Sequence, residues 1–157
     1  MTTAEFWKSY LKATNQKAEN AVYSGELVFE DSGFTGKTQL SLVLSGAKTA
    51  TFTPFDSFEI NRESIPVAGE VYVVLDSREE PVAILEVTNV TVIPFNEIPW
   101  DLAARDGENE NLSDWQDKMR EFLEDEADLC GFEVREDSKI VCEIFRVIYQ
   151  NSNSSQS

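Results

Sequence analysis

The chain contains no histidine. Histidine is the side chain that most often moves protons near neutral pH, and it is also a common zinc ligand. Any acid–base chemistry therefore falls to Lys, Glu, Asp, Tyr or Cys. A zinc site of the usual His/Cys type is nearly excluded, and the sequence predicts neither a metal nor a cofactor.

Positive charge is scarce as well. The chain has 13 Lys and Arg residues against 29 Asp and Glu residues, which gives a net charge of -16. An extended groove for duplex nucleic acid needs a positive field, so we expect no binding to duplex DNA. A small pocket for one nucleoside or a short single strand remains compatible with this charge.

Cysteine and long apolar runs are also rare. The two cysteines, Cys130 and Cys142, fit a reducing compartment and are interpreted as small buried side chains rather than as a disulfide. No apolar run reaches about 18 residues, so we expect no membrane-spanning helix. The N-terminal residues lack the order of a signal peptide, and we expect a cytoplasmic protein.

The remaining composition is typical of one domain. The chain has 157 residues, of which 41% are hydrophobic, so it can form a core. We expect a single domain over residues 1–150, including an N-terminal helical extension. Residues 151–157 are rich in Ser, Asn and Gln, and they are predicted to be a disordered tail.

Apolar spacing predicts helices near the N-terminus. Phe6, Trp7, Tyr10 and Leu11 recur at helical spacing, which indicates an amphipathic helix over Thr3–Lys12. Residues 15–32 are interpreted as a connection with short helical turns. Residues 38–45 fit a strand or a helix, and the glycine at position 46, a good residue after a helix end, favours the helix.

The rest of the chain alternates between strand and helix signals. Strands are predicted at Val71–Leu75, Val82–Phe95 and Ile140–Tyr149, and helices at Asn96–Arg105 and Leu112–Asp125. Ser113 is predicted to cap the last helix, whose expected apolar face is Leu112, Trp115, Met119, Phe122 and Leu123. Residues 55–63 are interpreted as a loop. This order predicts an α+β fold, a small mixed barrel or curled sheet with helices packed over its openings.

Two segments concentrate polar chemistry. Ser45–Thr51 places Lys48 beside two threonines, just after the glycine. Lys48 is either a solvated surface lysine or a partly buried group whose lowered pKa lets it act as base or electrophile, with Thr51 as a nucleophile. The acidic segment Arg105–Asn111 either starts the following helix or turns one carboxylate inward to meet Lys48.

These segments resemble the ASCH domain family. Its Gly-x-Lys-x-x-Thr motif is matched by Gly46, Lys48 and Thr51. A Gly-Glu pair shortly before a helix that carries a Trp is matched by Gly107, Glu108 and Trp115. The strands at residues 92–95 and 141–147 are similar too, so that the resemblance runs from about Leu40 to Tyr149.

The resemblance implies a PUA-like β-barrel, in a superfamily associated with RNA and modified nucleosides. Some small ASCH members remove the acetyl group of N4-acetylcytidine, and one member is a ribonuclease. Carried over to this chain, the catalytic residues of the amidohydrolases fall on Lys48, Thr51 and Glu108. Lys48 would accept the proton of Thr51, Thr51 would attack the acyl carbon, and Glu108 would hold Lys48 and help to protonate the leaving amine.

Further residues are expected to contact the ligand in the barrel cleft. They are Gly46, Thr49, Phe52 and Trp100. The expected ligand is a modified nucleoside or a short single-stranded RNA. A non-catalytic RNA-binding or regulatory module and a ribonuclease are the alternatives, and the oligomeric state stays open.

Overall fold

The structure is a computed structural model. It describes residues 1–17, 21–29 and 36–150, of which residues 36–38 are described by their backbone alone. The predicted tail at 151–157 lies outside the described residues, as does part of the predicted connection at 15–32. None of the described helices is long and apolar enough to cross a membrane.

Helices and strands are intermixed along the described chain. The helices are α1 (Thr3–Ala13), α2 (Gly36–Ser45), α3 (Phe55–Ile60), α4 (Trp100–Ala103) and α5 (Leu112–Cys130). The strands are β1 (Gly25–Val28), β2 (Ala50–Pro54), β3 (Val71–Leu75), β4 (Pro81–Pro94) and β5 (Lys139–Gln150). They form one mixed sheet in the order β1-β3-β4-β5-β2, which confirms the α+β class.

The sequence predictions hold for most of these elements. The N-terminal helix, the helix before Gly46 and the three predicted strands are confirmed. Two predictions are wrong: residues 25–28 form β1, which pairs in parallel with β3, and residues 55–60 form α3 instead of a loop. The helix expected at 96–105 is divided into two single 3-10 turns, Phe95–Glu97 and Ala104–Asp106, with α4 between them.

Two compact units make up the chain, and the single domain predicted for 1–150 stays a prediction. The first unit comprises Met1–Gly46, Ala68–Thr88 and Phe145–Ser157. Its α1 begins with a capping box between Thr2 and Glu5. Helix α1 packs its apolar face on the sheet, in a cluster formed by Phe6, Trp7, Tyr10, Leu11, Val73, Leu75 and Ile84.

The second unit comprises Ala47–Val67 and Asn89–Ile144. Here β2 pairs antiparallel with β5, and α5 packs on them through Trp115, Met119 and Leu123. Phe52 of β2 meets the Trp115 ring edge-on, with centroids 5.1 Å apart. This core fixes the direction of β2, and with it the residues just before the strand.

Helix α5 differs from its prediction at its start, on its apolar face and at its end. Its N-cap is Asn111, whose side chain accepts a hydrogen bond from the Asp114 N–H, so the expected cap at Ser113 is wrong. Phe122 was expected on the buried face, but it is 41% exposed. The helix also continues to Cys130, where Gly131 ends it with a left-handed backbone.

Candidate functional site

Lys48 is buried, which is unusual for a lysine. Along Lys48–Pro54 the buried and half-buried residues alternate, as they do in a strand with one face against a core. Lys48 belongs to the buried set and is only 7% exposed. A buried ammonium needs a partner, because its desolvation is otherwise costly.

The partner of Lys48 is Asp106. The Lys48 ammonium forms an ion pair with the Asp106 carboxylate and lies 3.4 Å from the Asp106 main-chain oxygen. Thus the acidic segment does turn a carboxylate inward to meet Lys48, as one of the two sequence hypotheses expected. The side chain that the structure places there is Asp106.

The second carboxylate oxygen of Asp106 is also held. It accepts a hydrogen bond of 3.1 Å from the indole N–H of Trp115. Trp115 is 1% exposed and belongs to the core under β2 and α5. The orientation of Asp106, and through it that of Lys48, is therefore fixed from the core of the second unit.

Backbone packing brings the two segments together. Gly107 has φ +85°, and a Cβ there would lie 2.8 Å from the Ala47 carbonyl oxygen and 3.2 Å from the Lys48 Cα. Only glycine allows this approach. Beside it, the Thr49 N–H donates to the Arg105 carbonyl at 2.8 Å. The close approach sets the position of Lys48 relative to Asp106.

The two threonines contact charged side chains of opposite sign. The exposed Arg105 guanidinium donates to the Thr49 hydroxyl at 3.3 Å. The Thr51 hydroxyl donates to the Glu143 carboxylate on β5 at 3.4 Å. Thr49 and Thr51 are both half-buried. The side of β2 that carries Thr51 is thus polar, whereas Ala50 and Phe52 on its other side pack in the core.

The other predicted site residues are spread over different surroundings. Gly46 follows α2 with φ +84°, as expected of a residue after a helix end. Phe52 is 7% exposed and packs in the core, so its observed role is structural. Trp100 is half-buried at the edge of that core, and Glu108 is exposed. Ligand contacts of Gly46, Thr49, Phe52 and Trp100, and the catalytic roles of Lys48, Thr51 and Glu108, stay predictions.

Sequence reasoning missed Asp106 and Glu143. Nothing in the acidic segment distinguishes Asp106 from the carboxylates at 108 and 110, because the choice depends on the backbone turn at Gly107. The proximity of Glu143 depends on the register of β2 and β5, which pairs Thr51 with Glu143. A strand pattern does not reveal such a register.

The Cys142 thiol lies in the core beneath the site. Burial raises the pKa of the Cys142 thiol to about 12. Among residues 1–17, 21–29 and 36–150, no three His, Cys, Asp or Glu side chains form a group that could hold a metal ion.

Comparison with known proteins gives a family. The ASCH domain model matches residues 25–149, which is most of the chain. The chain belongs to the ASCH domain family. The expected family resemblance, its fold included, is therefore confirmed.

Two solved structures are similar to this ASCH protein over nearly their whole length. A crystal structure of a protein from Enterococcus faecalis has a TM-score of 0.83 at 26% identity, covering 98% of this chain and 92% of the other. The ASCH domain from Lactobacillus crispatus has a TM-score of 0.82 at 28% identity, covering 94% of each chain. No curated protein matches the chain.

Proposed function

We propose that this ASCH protein binds a modified nucleoside or a short single strand of RNA beside Lys48, and that it hydrolyses an amide on this ligand. The amide of N4-acetylcytidine is the example that the family offers. The observation that carries the proposal is the buried Lys48 ammonium, held by Asp106 and backed by Trp115. A charged donor that is fixed before the ligand arrives is what selective binding and catalysis both need.

The contacts of Lys48 favour one chemical role. An ammonium has three N–H donors and no acceptor. The side-chain and main-chain oxygens of Asp106 take two of these donors, so that, counted over the described residues, one is left for a ligand oxygen. We therefore assign Lys48 to the ligand's carbonyl oxygen, where negative charge develops during attack. This assignment uses Lys48 as electrophile instead of base.

The remaining roles follow the family pattern. Thr51 attacks the acyl carbon, and Glu108 helps to protonate the leaving amine. Thr51 is half-buried on β2, a rigid element, and Glu108 is exposed in the acidic segment next to Asp106 and Gly107. The charge of the chain supports a small ligand, because a net charge of -16 opposes a long polyanion.

The direct test measures hydrolysis and binding in parallel. Purified protein is incubated with N4-acetylcytidine, and released cytidine is quantified by chromatography. Calorimetry measures the affinity for N4-acetylcytidine and for single-stranded RNA of about 4–16 nucleotides. We expect cytidine release by the unaltered protein and loss of both release and binding in Lys48→Met.

Lys118→Met is the matched control. Lys118 lies on α5 with 58% of its side chain exposed, in an i,i+4 pair with Asp114. We expect this variant to bind and hydrolyse as the unaltered protein does. A protein that neither binds nor hydrolyses, or a Lys48→Met variant that behaves like Lys118→Met, would contradict the proposal. Binding of RNA without cytidine release would identify a non-catalytic module, and strand cleavage would identify a ribonuclease.

A further inference from the structure

The contact between Thr51 and Glu143 bears on how the nucleophile of the proposed reaction is activated. A threonine hydroxyl is a weak nucleophile unless a neighbouring base takes its proton. The chain offers no histidine for that task. Lys48 is engaged with Asp106, as an ion pair and as a donor to the main chain. A base for Thr51 must therefore come from elsewhere in the fold.

Strand pairing supplies a carboxylate at that position. Thr51 of β2 lies directly opposite Glu143 of β5 in an antiparallel ladder. Opposite residues of such a pair have Cβ atoms about 5 Å apart, so that their side chains meet. The Thr51 Oγ is 3.4 Å from the Glu143 Oε2. This distance is longer than an ordinary O–H···O bond, as is common for catalytic pairs without ligand.

The surroundings keep this pair in place. On β2 the residues before and after Thr51, Ala50 and Phe52, are buried in the core of the second unit. On β5 the preceding residue, Cys142, is buried in the same core. Thr51 and Glu143 themselves stay half-buried. Both side chains are thus carried by anchored strands and keep part of their surface available to a ligand.

We propose that Glu143 is a catalytic residue that accepts the hydroxyl proton of Thr51, an inference that rests on the proposed amide hydrolysis. As the Thr51 Oγ bonds to the acyl carbon, its proton passes to the Glu143 carboxylate. The acyl C–N bond then breaks, and this proton is passed on to the leaving amine with the help of Glu108, so that the Glu143 carboxylate is restored. Water attacks the acyl ester on Thr51, releases the carboxylic acid and restores the hydroxyl.

The test uses p-nitrophenyl acetate as an acyl donor, so that it does not depend on the natural substrate. Release of nitrophenolate gives the rate, and peptide mass spectrometry locates the acetyl group. We expect acetylation at Thr51 in the unaltered protein and none at that position in Thr51→Val. In Glu143→Gln we expect the rate of acetylation to fall by roughly 10²–10⁴, the usual contribution of a general base.

Glu143→Gln isolates the proton transfer, because glutamine keeps the shape and a hydrogen-bonding oxygen but cannot take up a proton in this way. Glu86→Gln is the control, since Glu86 is a half-buried strand carboxylate that pairs with Arg146 in the first unit. We expect it to acetylate like the unaltered protein. Thermal unfolding confirms that each variant is folded.

The outcomes separate this inference from the proposed function. Equal acetylation of Thr51 in Glu143→Gln and in the unaltered protein overturns the role of Glu143, as does absence of acetylation at Thr51 in the unaltered protein. If N4-acetylcytidine is nevertheless hydrolysed, the proposed function stands without Glu143. If Thr51 is acetylated with Glu143 dependence but N4-acetylcytidine is not hydrolysed, the role of Glu143 stands and the proposed substrate fails.

Discussion

Among single residues, Lys48 combines a charge with a side chain that is only 7% exposed. Replacing it by methionine leaves the Asp106 carboxylate, which is 20% exposed, without its cation. Breaking one side of a buried ion pair costs about 3–5 kcal/mol. We therefore expect Lys48→Met to lower the free energy of unfolding by about 3 kcal/mol, measured by urea denaturation.

Two further variants control this prediction. Lys118→Met breaks an exposed pair, whose side chains are 58% and 38% exposed, and it is expected to cost less than about 1 kcal/mol. The double variant Lys48→Met, Asp106→Leu removes both charges and should recover part of the lost stability. Equal unfolding curves for Lys48→Met and Lys118→Met would show that the pair of Lys48 and Asp106 contributes no more to stability than an exposed pair.

Gly107 offers a second prediction at this scale, with Gly131 as a matched control. Both glycines have a left-handed backbone, with φ +85° and +80°. A Cβ at Gly131 meets nothing within 4 Å, whereas one at Gly107 lies 2.8 Å from a carbonyl oxygen. Gly131→Ala is expected to cost about 1–2 kcal/mol from backbone strain alone. Gly107→Ala is expected to cost about 1–3 kcal/mol more, since the two segments must move apart.

Chemical denaturation of both alanine variants measures this difference. Because the movement separates Lys48 from Asp106, Gly107→Ala should also weaken binding of the proposed ligand, and Gly131→Ala should not. If both substitutions lower the free energy of unfolding by the same amount, the close approach at Gly107 does not explain the need for glycine there.

Cys142 provides a third residue-scale prediction. Its pKa, raised to about 12 by burial, keeps the thiol protonated well above neutral pH, and the thiolate is the reactive form. Cys130, at the end of α5, is partly exposed. At about pH 8, iodoacetamide should label Cys130 in the folded protein and leave Cys142 unmodified. Mass spectrometry after labelling with and without urea checks this, and rapid labelling of native Cys142 would contradict it.

On the scale of elements, the start of α5 allows the two cap positions to be compared. The structure places the cap at Asn111, two positions before Ser113, the cap predicted from the sequence. Asn111→Ala is expected to cost about 1 kcal/mol, and Ser113→Ala about 0.5 kcal/mol or less. Urea denaturation of the two variants measures the difference. A larger loss of stability in Ser113→Ala than in Asn111→Ala would favour Ser113 as the cap.

The elements that sequence analysis missed are short. Strand β1 has four residues and depends on its parallel pairing with β3, which no local pattern encodes. Helix α3 has six residues after Pro54, too few for a clear apolar period. By contrast, α1 and β5 have eleven and twelve residues with sustained patterns, and both were predicted within one or two residues of their ends.

The site residues divide in the same way, into those that a local pattern reveals and those that depend on contacts between distant parts of the chain. The motif containing Lys48 and Thr51 is contiguous, so the sequence identified it. The carboxylate partners are distant in the chain: Asp106 lies 58 positions after Lys48, and Glu143 lies 92 positions after Thr51. Such contacts are determined by packing at Gly107 and by the β2–β5 register, and neither is visible in a single sequence.

For the whole molecule, the dominant property is its net charge of -16. A protein that binds RNA through many cations loses affinity steeply as the salt concentration rises. For single strands, the logarithm of the binding constant falls against the logarithm of the salt concentration with a slope of about -0.7 per phosphate contacted. Here we expect a shallow slope between about 50 and 200 mM salt, and no gain in affinity from lengthening the strand, because the added phosphates meet a negative field.

Fluorescence titration with RNA strands of increasing length measures both quantities. Strands bound through two or more phosphates would give a slope steeper than about -1.4, and this result would contradict recognition of a single nucleoside-sized unit.

The hydrogen bond from the Trp115 indole to Asp106 has a practical consequence. The wavelength at which an indole fluoresces depends on the charges beside it. The Trp115 indole contacts Asp106, which in turn pairs with Lys48. A compound that disturbs the pair of Lys48 and Asp106 is therefore expected to shift the emission of Trp115, one of the three tryptophans of the chain, so that such compounds can be screened without attaching a dye.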